Sequence, residues 1–331
     1  MAKKTYDEKD LIKLDDIEHI RRMPGLYIGD TENPNHLIYE LLDNSLDEVQ
    51  ADEATVVGVN IDTRKNIVSV ADNGRGIPFK KGTVQMIATQ LHTGGKFKKG
   101  EDGVYKIASG LHGIGIVAVT ALSEFLEISI YRDGSKADFE FKNSKLVNET
   151  VKDFVGESPY STQTTFKPSS KYFDSLVFDV ASVRDRMRLA SAHFKNLRLI
   201  LVVDGKSEII SCDINDYYQE ELNTPKDSKI LNIDVKIKDE TINLKMCWDM
   251  TGTHTTKSIG SVNLLKVNSG THINKAQIII KNVMEKISKK YKIGNFQKND
   301  SMSGLRLMVS AMLYEPKYSS QTKERLSVSR N

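Results

Sequence analysis

Glu40, Asp43, Asn44 and Asp47 recur at steps of three and four within Leu37 to Gln50, so one side of a helix there would carry three carboxylates and an amide. A carboxylate one turn from an amide can take a proton from water while the amide oxygen ligates a hard cation such as Mg²⁺. The same pattern also suits a solvated acidic face. Further on, Asp72-Asn73-Gly74-Arg75-Gly76-Ile77-Pro78 sets a carboxylate at a strand end before two closely spaced glycines. Such a backbone can approach a flat ligand whose exocyclic amine the carboxylate accepts, and it can equally be a plain turn. Ser109-Gly110-Leu111-His112-Gly113-Ile114-Gly115 runs into the apolar Ile116 to Leu122, a glycine-rich loop entering a buried helix, where main-chain N–H groups can wrap phosphates. Neither G-x-G-x-x-G nor G-x-x-x-x-G-K-[ST] occurs, so a dinucleotide-binding fold and a P-loop are unsupported. Lys323 stands on a loop after a strand, from which a lysine can reach a ligand at strand ends, although most surface lysines are simply solvated.

The elements that must position these groups follow from periodicity. Leu37, Ile38, Leu41, Leu42, Leu46 and Val49 form the apolar stripe of the central helix. A short helix over Asp15 to Arg22 precedes it, with a turn forced by Pro24, Gly25 and Gly29. Strands are expected at Asp52 to Asn60 and Asn66 to Ala71, a helix at Thr83 to Leu91, and strands at Phe125 to Arg132 and Lys136 to Phe141 around an Asp133-Gly134 hairpin. Then come a strand at Ser161 to Phe166, a helix at Val180 to Phe194 and a strand at Leu197 to Val203. After a boundary near 212 the pattern predicts a helix at Asp213 to Leu222 and a hairpin of Ile230 to Ile237 with Ile242 to Trp248. A strand at Ser258 to Val267, a helix at Ile273 to Tyr291 and a strand at Leu305 to Leu313 complete a right-handed crossover with parallel strands.

The chain has 331 residues, enough for about two domains. Its 47 basic and 44 acidic residues give a net charge of +3, too mild to indicate nucleic-acid binding from the total. Cys212 and Cys247 have no ligand spacing, which argues against a zinc site or disulfide framework and suits a reducing compartment. No apolar run approaches a membrane span, so a cytoplasmic protein without membrane contact is expected.

In this order the pieces resemble the ATPase region of type IIA DNA topoisomerases, as in the gyrase B protein and its topoisomerase IV counterpart, within the GHKL superfamily. The superfamily motifs are matched by Glu40 to Asn44 with Asp47, by Asp72 to Gly76 and by Gly110 to Gly115. The narrower match rests on RRMPGLYIGD, on GGKF at 94 to 97, on SGLHGIG at 109 to 115 and on SSQTK at 319 to 323. The resemblance implies an α+β fold: a GHKL ATP-binding sandwich over 17 to 212, with a mixed sheet covered by helices, after an N-terminal dimerisation arm over 1 to 16. A transducer domain over 213 to 331, similar to ribosomal protein S5, would follow.

Carried over by position, Glu40 resembles the general base that activates water, and Asn44 the protein ligand of Mg²⁺. Asp72, with Thr162 beside it, resembles the adenine-binding aspartate, and Asp47, Gly76, Ile77, Pro78 and Lys96 fall in the nucleotide pocket. Ser109, Gly110, Leu111, His112, Gly113, Ile114 and Gly115 resemble the phosphate-wrapping lid. Gln321 and Lys323 resemble the contacts to the γ-phosphate, Tyr6 the arm residue that reaches the nucleotide of the opposite subunit, and Arg132 an arginine at the pocket mouth. The cofactors implied are ATP and Mg²⁺. The partners implied are a second copy on ATP binding, DNA, and a DNA-cleaving subunit or region, with ATP turnover coupled to strand passage. Asn73, Ser45 and Ser161 replace a common aspartate, alanine and glycine, and the Pro78 to Thr93 segment is short, as in a divergent or phage-encoded member. The chain stops eight residues after Lys323, so a fragment or isolated ATPase subunit is expected. The alternative is a GHKL conformational clamp acting on protein partners, as chaperones and mismatch-repair factors do. A histidine kinase would need a phosphoacceptor helix, for which the 36 residues before the central helix leave little room.

Overall fold

Strand alternation builds the first sheet. In β1 (Val56–Asp62) and β2 (Ile67–Asp72) every second side chain is buried, and the antiparallel register Val57↔Asp72, Val59↔Val70, Ile61↔Val68 puts those residues on one face. With β3 (Ser123–Arg132), β4 (Ser135–Lys142), β5 (Lys145–Asp153), β6 (Thr162–Pro168), β7 (Arg198–Val203) and β8 (Lys206–Ile210), the sheet runs β5-β4-β3-β6-β2-β1-β7-β8. Only β1 and β7 pair in parallel. The computed structural model describes residues 13–80, 82–95, 105, 107, 110, 113–225, 227–252, 254–319, 323 and 325–327.

One face of this sheet is covered by helices. These are α1 (Asp16–Arg22), α2 (Gly25–Ile28), α3 (Asn35–Gln50), α4 (Thr83–Thr89), α5 (Gly115–Ala121) and α6 (Val180–His193). Ile20, Leu42, Val84, Val119 and Val183 from the helices join Val59, Val70, Ile128 and Phe166 from the strands in one core. Side-chain caps start two of the helices: Asp15 accepts from the Glu18 N–H at 2.8 Å and Asp179 from the Ser182 N–H at 3.1 Å. The expected turn after Arg22 closes as the single helical turn α2.

Beyond α7 (Ile214–Leu222) a second sheet forms from β9 (Leu231–Ile237), β10 (Glu240–Trp248), β11 (Lys257–Val262), β12 (Leu265–Val267) and, after β13 (Ser269–Gly270) and α8 (Thr271–Lys290), β14 (Leu305–Met312). Its order is β12-β11-β14-β10-β9, and β11 and β14 are parallel across α8, the crossover that periodicity predicts. β14 is buried on both faces. Leu305, Leu307 and Val309 pack on Ile273, Ala276 and Ile280 of α8, while Met308 packs on Tyr217 and Tyr218 of α7 and Leu189 of α6. Helix α6 thus touches both sheets.

Three expectations are corrected. Ser258 to Val267 is not one strand: β11 and β12 form a hairpin whose turn, Asn263-Leu264, has φ of 48° and 65°. Leucine resists that conformation by about 1–2 kcal/mol. Here Leu264 is buried in the core of the first sheet, and full burial of a leucine, worth roughly 1.5–3 kcal/mol, outweighs the strain. Strands β5 and β8 were not expected. They are edge strands with mostly exposed side chains and no clean alternation.

A buried ion pair closes the far end of the second sheet. Arg306 on β14 and Asp249 lie 2.6 Å apart with side chains 3% and 5% exposed, and the guanidinium also donates to the Thr255 carbonyl. Asp249→Ala would leave the guanidinium buried beside a lost partner, at a cost of about 3–5 kcal/mol. Urea denaturation followed by fluorescence of Trp248, which neighbours Asp249 in the chain, should show the midpoint falling accordingly.

Candidate functional site

The alternation of β2 runs Val68, Val70, Asp72, so a carboxylate ends a row of core side chains on the helix-covered face. Asp72 is 7% exposed. Its oxygens accept from Ser45 Oγ at 2.9 Å and the Gly74 N–H at 3.0 Å. Thr162 of β6 is its cross-strand partner. Burial pushes the Asp72 pKa up to about 6, against the Gly74 and Ser45 hydrogen bonds, and the nearby Glu48 charge adds to the rise.

A cavity opens between this strand end and α3. Glu40, Leu41, Asn44, Ser45 and Glu48 border it from the helix. At about 100° per residue, Asn44 and Glu48 lie to one side of Glu40 and Asp43 and Asp47 to the other. That geometry corrects the expected polar stripe. Asp43 turns away to pair with Arg186 of α6, and Asp47 does not border the cavity. Asp47 is fully buried and accepts from the Gly110 N–H at 3.2 Å, so it tethers the glycine-rich stretch to α3.

Glu40 faces the start of α5. A Cβ on Gly115 would overlap the Glu40 carboxylate, so only glycine lets the helix start lie against it. Gly113, with φ of 60°, makes the turn before α5 and its carbonyl accepts from the His92 N–H at 3.1 Å. Burial alone would raise the Glu40 pKa. The His36 hydrogen bond at 3.0 Å and the charges of Lys323, His36 and Arg186 outweigh it and hold the group at about 2.

Lys323 reaches this cavity from the far side of the chain. Residues 317 to 319 pair with 325 to 327 as the two arms of a hairpin: Tyr318 bridges Leu326, the Ser319 N–H donates to the Arg325 carbonyl at 3.0 Å, and the Ser327 N–H donates to the Lys317 carbonyl at 2.8 Å. β15 (Arg325–Leu326) pairs with β13 at the start of α8. Lys323, near the hairpin tip, is 7% exposed with φ of 58° and borders the cavity.

Of the residues singled out by sequence, Glu40, Asn44, Asp72, Gly76, Ile77, Pro78, Gly110, Gly113, Ile114, Gly115, Thr162 and Lys323 border one cavity. Tyr6, Lys96, Ser109, Leu111, His112 and Gln321 lie outside the described residues. Arg132 stands just outside the cavity, donating to the Gly76 carbonyl at 2.7 Å.

Sequence reasoning missed Glu48, Tyr105 and His36. Glu48 grips Arg75 through two guanidinium bonds of 2.9 and 2.8 Å and the Arg75 main-chain N–H at 3.1 Å. It also accepts from the Tyr105 hydroxyl, and Arg75 lies 4.7 Å over the Tyr105 ring. Glu48 falls two turns from Glu40 and one from Asn44, so the helical spacing that picked out those two would also have found it.

The cavity brings together groups that a nucleoside triphosphate needs: a buried carboxylate acceptor, the glycine main chain at the start of α5, and a lysine. Mg²⁺ keeps several waters and binds chiefly through one or two protein groups plus phosphates. Asn44, next to Glu40 on the cavity wall, suits that, and among the described residues no cluster of three acidic, histidine or cysteine side chains stands ready for a resident metal.

Two family profiles match the chain. Residues 29–156 match "Histidine kinase-, DNA gyrase B-, and HSP90-like ATPase", and residues 213–330 match "DNA gyrase B". The topoisomerase 4 B protein of Francisella tularensis is 30% identical over 98% of this chain and 53% of its own length. The gyrase B protein of Borreliella burgdorferi is 32% identical over 97% and 53%. The chain therefore spans about half the length of these curated relatives. The solved topoisomerase IV ATP-binding domain of F. tularensis superposes with a TM-score of 0.72 at 27% identity, covering 94% of this chain and 86% of that one. The Saccharomyces cerevisiae topoisomerase II ATPase region, at 19% identity and a TM-score of 0.76 over 97% and 91%, shares the fold. On these matches, the chain belongs to the ATPase region of the type IIA DNA topoisomerases, the gyrase B and topoisomerase IV B family within the GHKL superfamily.

Proposed function

We propose that this chain is the ATP-binding, ATP-hydrolysing gate of a type II DNA topoisomerase, closing as a homodimer on ATP and coupling turnover to strand passage with a DNA-cleaving partner in the cytoplasm. The observation that carries the reading is the meeting, at one cavity, of Glu40 from α3, Asp72 from the end of β2 and Lys323 from the hairpin that β15 pairs to β13. We read residues 17 to 212 as the nucleotide-binding unit and 213 to 331 as the transducer.

Asp72 and Thr162 take the adenine amine, and the main chain from Gly110 to Gly115 takes the phosphates. Mg²⁺, held by Asn44, would supply charge neutralisation on the phosphates. Glu40 orients the attacking water and accepts its proton. A carboxylate at about 2 is a weak base. A triphosphate engages Lys323 and brings negative charge, which raises the affinity of Glu40 for a proton. The base is therefore strengthened only when substrate fills the site. DNA fits a local surface rather than the net charge: residues 257 to 298 carry nine lysines and one acidic residue, Glu285, and Lys286, Lys289 and Lys290 of α8 are exposed.

Glu40→Gln keeps the shape but cannot take a proton, so kcat should fall about 10²- to 10⁴-fold with ADP affinity nearly intact. Gly115→Ala, whose methyl displaces the Glu40 carboxylate, should give a milder loss of the same kind. Steady-state turnover alongside ADP calorimetry measures both, and a Glu40→Gln variant at wild-type rate would mean the base is another group.

For Asp72 the folded pKa is raised from 3.8 to about 6, so the stability that its protonation contributes is present below the unfolded value and lost as pH rises through about 6. An amine donor favours the ionised form. Adenosine affinity should therefore be maximal above pH 6 and drop by up to about tenfold per unit below it. Asp72→Asn should bind more weakly, by about 1–3 kcal/mol, and lose this pH dependence. Titration with adenosine, which has no phosphate protons, isolates the effect.

Lys323 contacts that exist with ATP and vanish after phosphate release would give the two states different preferred arrangements. Light scattering should find a monomer or weak dimer without nucleotide, a stable dimer with a non-hydrolysable analogue, and reversion with ADP. Lys323→Ala should bind ADP yet lose turnover and the analogue-dependent mass shift. A dimer population indifferent to nucleotide would exclude the gate even with ATPase activity intact.

A further inference from the structure

Arg186 lies on α6, outside both spans that match known families. Its guanidinium donates to Asp43, which is 4% exposed and sits one turn from Glu40 on α3. The ring of Tyr39, also on α3, lies 4.9 Å from the guanidinium carbon. The Arg186 Nε is buried, with no hydrogen-bond partner among the described residues. A pair so far out of water holds its helices in one relative position, because any slip uncovers an uncompensated charge.

The neighbouring residue faces the second sheet. Asp185 pairs at 3.2 Å with Lys266 of β12, which also pairs at 2.7 Å with Glu221 of α7. Two successive residues of α6 therefore grip different bodies, Asp185 the second sheet and Arg186 the helix that bears Glu40. The Lys323 hairpin meets the same place. Tyr318, at the hairpin base, has its ring in the small apolar cluster of Val262, Val267 and Leu326. Its hydroxyl donates to the Val262 carbonyl of β11 at 3.4 Å, so the hairpin base docks on the same β11–β12 unit that Asp185 grips through Lys266.

We propose that Arg186 is a positioning residue for hydrolysis, joining the Glu40 helix through Asp43 to the docked base of the Lys323 hairpin. This rests on the ATPase reading above. With the hairpin base seated on β11 and β12, α6 ties that unit through Asp185 and the Glu40 helix through Arg186, and Glu40 and Lys323 are thereby held in fixed relation across the cavity. Arg186 touches neither nucleotide nor water in this scheme. It acts through Asp43.

The test uses the full chain and compares wild type with Arg186→Gln, Arg186→Lys, Asp43→Asn and the Asp43→Asn/Arg186→Gln double variant. Arg186→Gln should lower kcat roughly 10- to 100-fold, as misplacement of a reacting group does, while the Kd for ADP stays within about threefold. Arg186→Lys should recover part of the loss. The double variant should be no slower than Arg186→Gln alone, because the pair acts as one unit. Hydrogen exchange supplies a readout free of turnover: a non-hydrolysable ATP analogue should slow exchange at the Ser319 and Ser327 amides in wild type and fail to do so in Arg186→Gln. If Arg186→Gln does not fold, Asp43→Asn, which keeps the side-chain shape, carries the same expectations. Turnover within about twofold of wild type, additive losses in the double variant, or ADP affinity falling as far as kcat would each overturn the assignment. A wild type that binds no nucleotide overturns the ATPase reading and this inference with it. A wild type that turns over alongside an equally fast Arg186→Gln overturns this inference alone.

Discussion

Helix α3 takes four carboxylates out of water, and that constraint organises the rest of the structure. Glu40, Asp43, Asp47 and Glu48 are buried or nearly so along a single helix, where bare carboxylates would cost several kcal/mol each. Each is met from a different part of the chain. Glu40 has His36 from its own helix and the charge of Lys323 from the second sheet. Asp43 has Arg186 from α6, Asp47 the Gly110 N–H, and Glu48 both Arg75 after β2 and Tyr105. The acid side of α3 can be buried only when the sheet, the glycine-rich stretch, α6 and the hairpin have all arrived. Assembly of the fold and assembly of the site are then one event, and the arrangement specifies a single structure more than it adds net stability.

What the sequence made legible follows from the same constraint. Side chains whose position is set by the period of their own element could be read: Glu40 and Asn44 by helical spacing, Asp72 by its place at a strand end, Gly115 by its place before an apolar run. Side chains whose meaning lies in a partner far along the chain could not. Arg186 reads as one more basic residue in RDRMR, and only the fold brings it to Asp43 across 143 residues. Asp43 and Asp47 show the limit of spacing as evidence. They share the i, i+3, i+4 pattern with Glu40 and Asn44, but the cavity faces the arc on the other side of Glu40. The β11–β12 hairpin was hidden for a related reason. Its turn holds a leucine with positive φ, which local propensity opposes and the first sheet's core imposes. Edge strands β5 and β8 carry few buried residues and so leave little alternation to read.

Besides Leu264 in the first sheet's core, the two parts of the chain meet at two chemically different places. At α6 the contact is between protein groups alone, Asp185 with Lys266 and Leu189 with Met308. At the cavity it is Lys323, whose charge acts on Glu40. In the proposed gate, the first kind of joint would serve as the pivot and the second would respond to the ligand. β13 and β15 link the Lys323 hairpin to the first turn of α8, so whatever moves the lysine also pulls on the helix that carries the exposed lysines.

Glu40 and Asp72 border one cavity, yet the first is held down at about 2 and the second pushed up to about 6. Both are carboxylates and both are withdrawn from water, so desolvation does not distinguish them. The partners do. Glu40 has a histidine and two cationic side chains in range, whereas Asp72 has only a hydroxyl, one N–H and the repulsion of Glu48. One end of the cavity thus has positive charge for an anion, and the other presents a carboxylate whose two hydrogen-bond donors are uncharged. A ligand with negative charge at one end and a donor amine at the other fits in one orientation only, because reversing it would set phosphate against Asp72 and leave Lys323 facing a base. The direction in which the nucleotide lies is thereby written into the two opposite pKa shifts, before any contact of shape is considered.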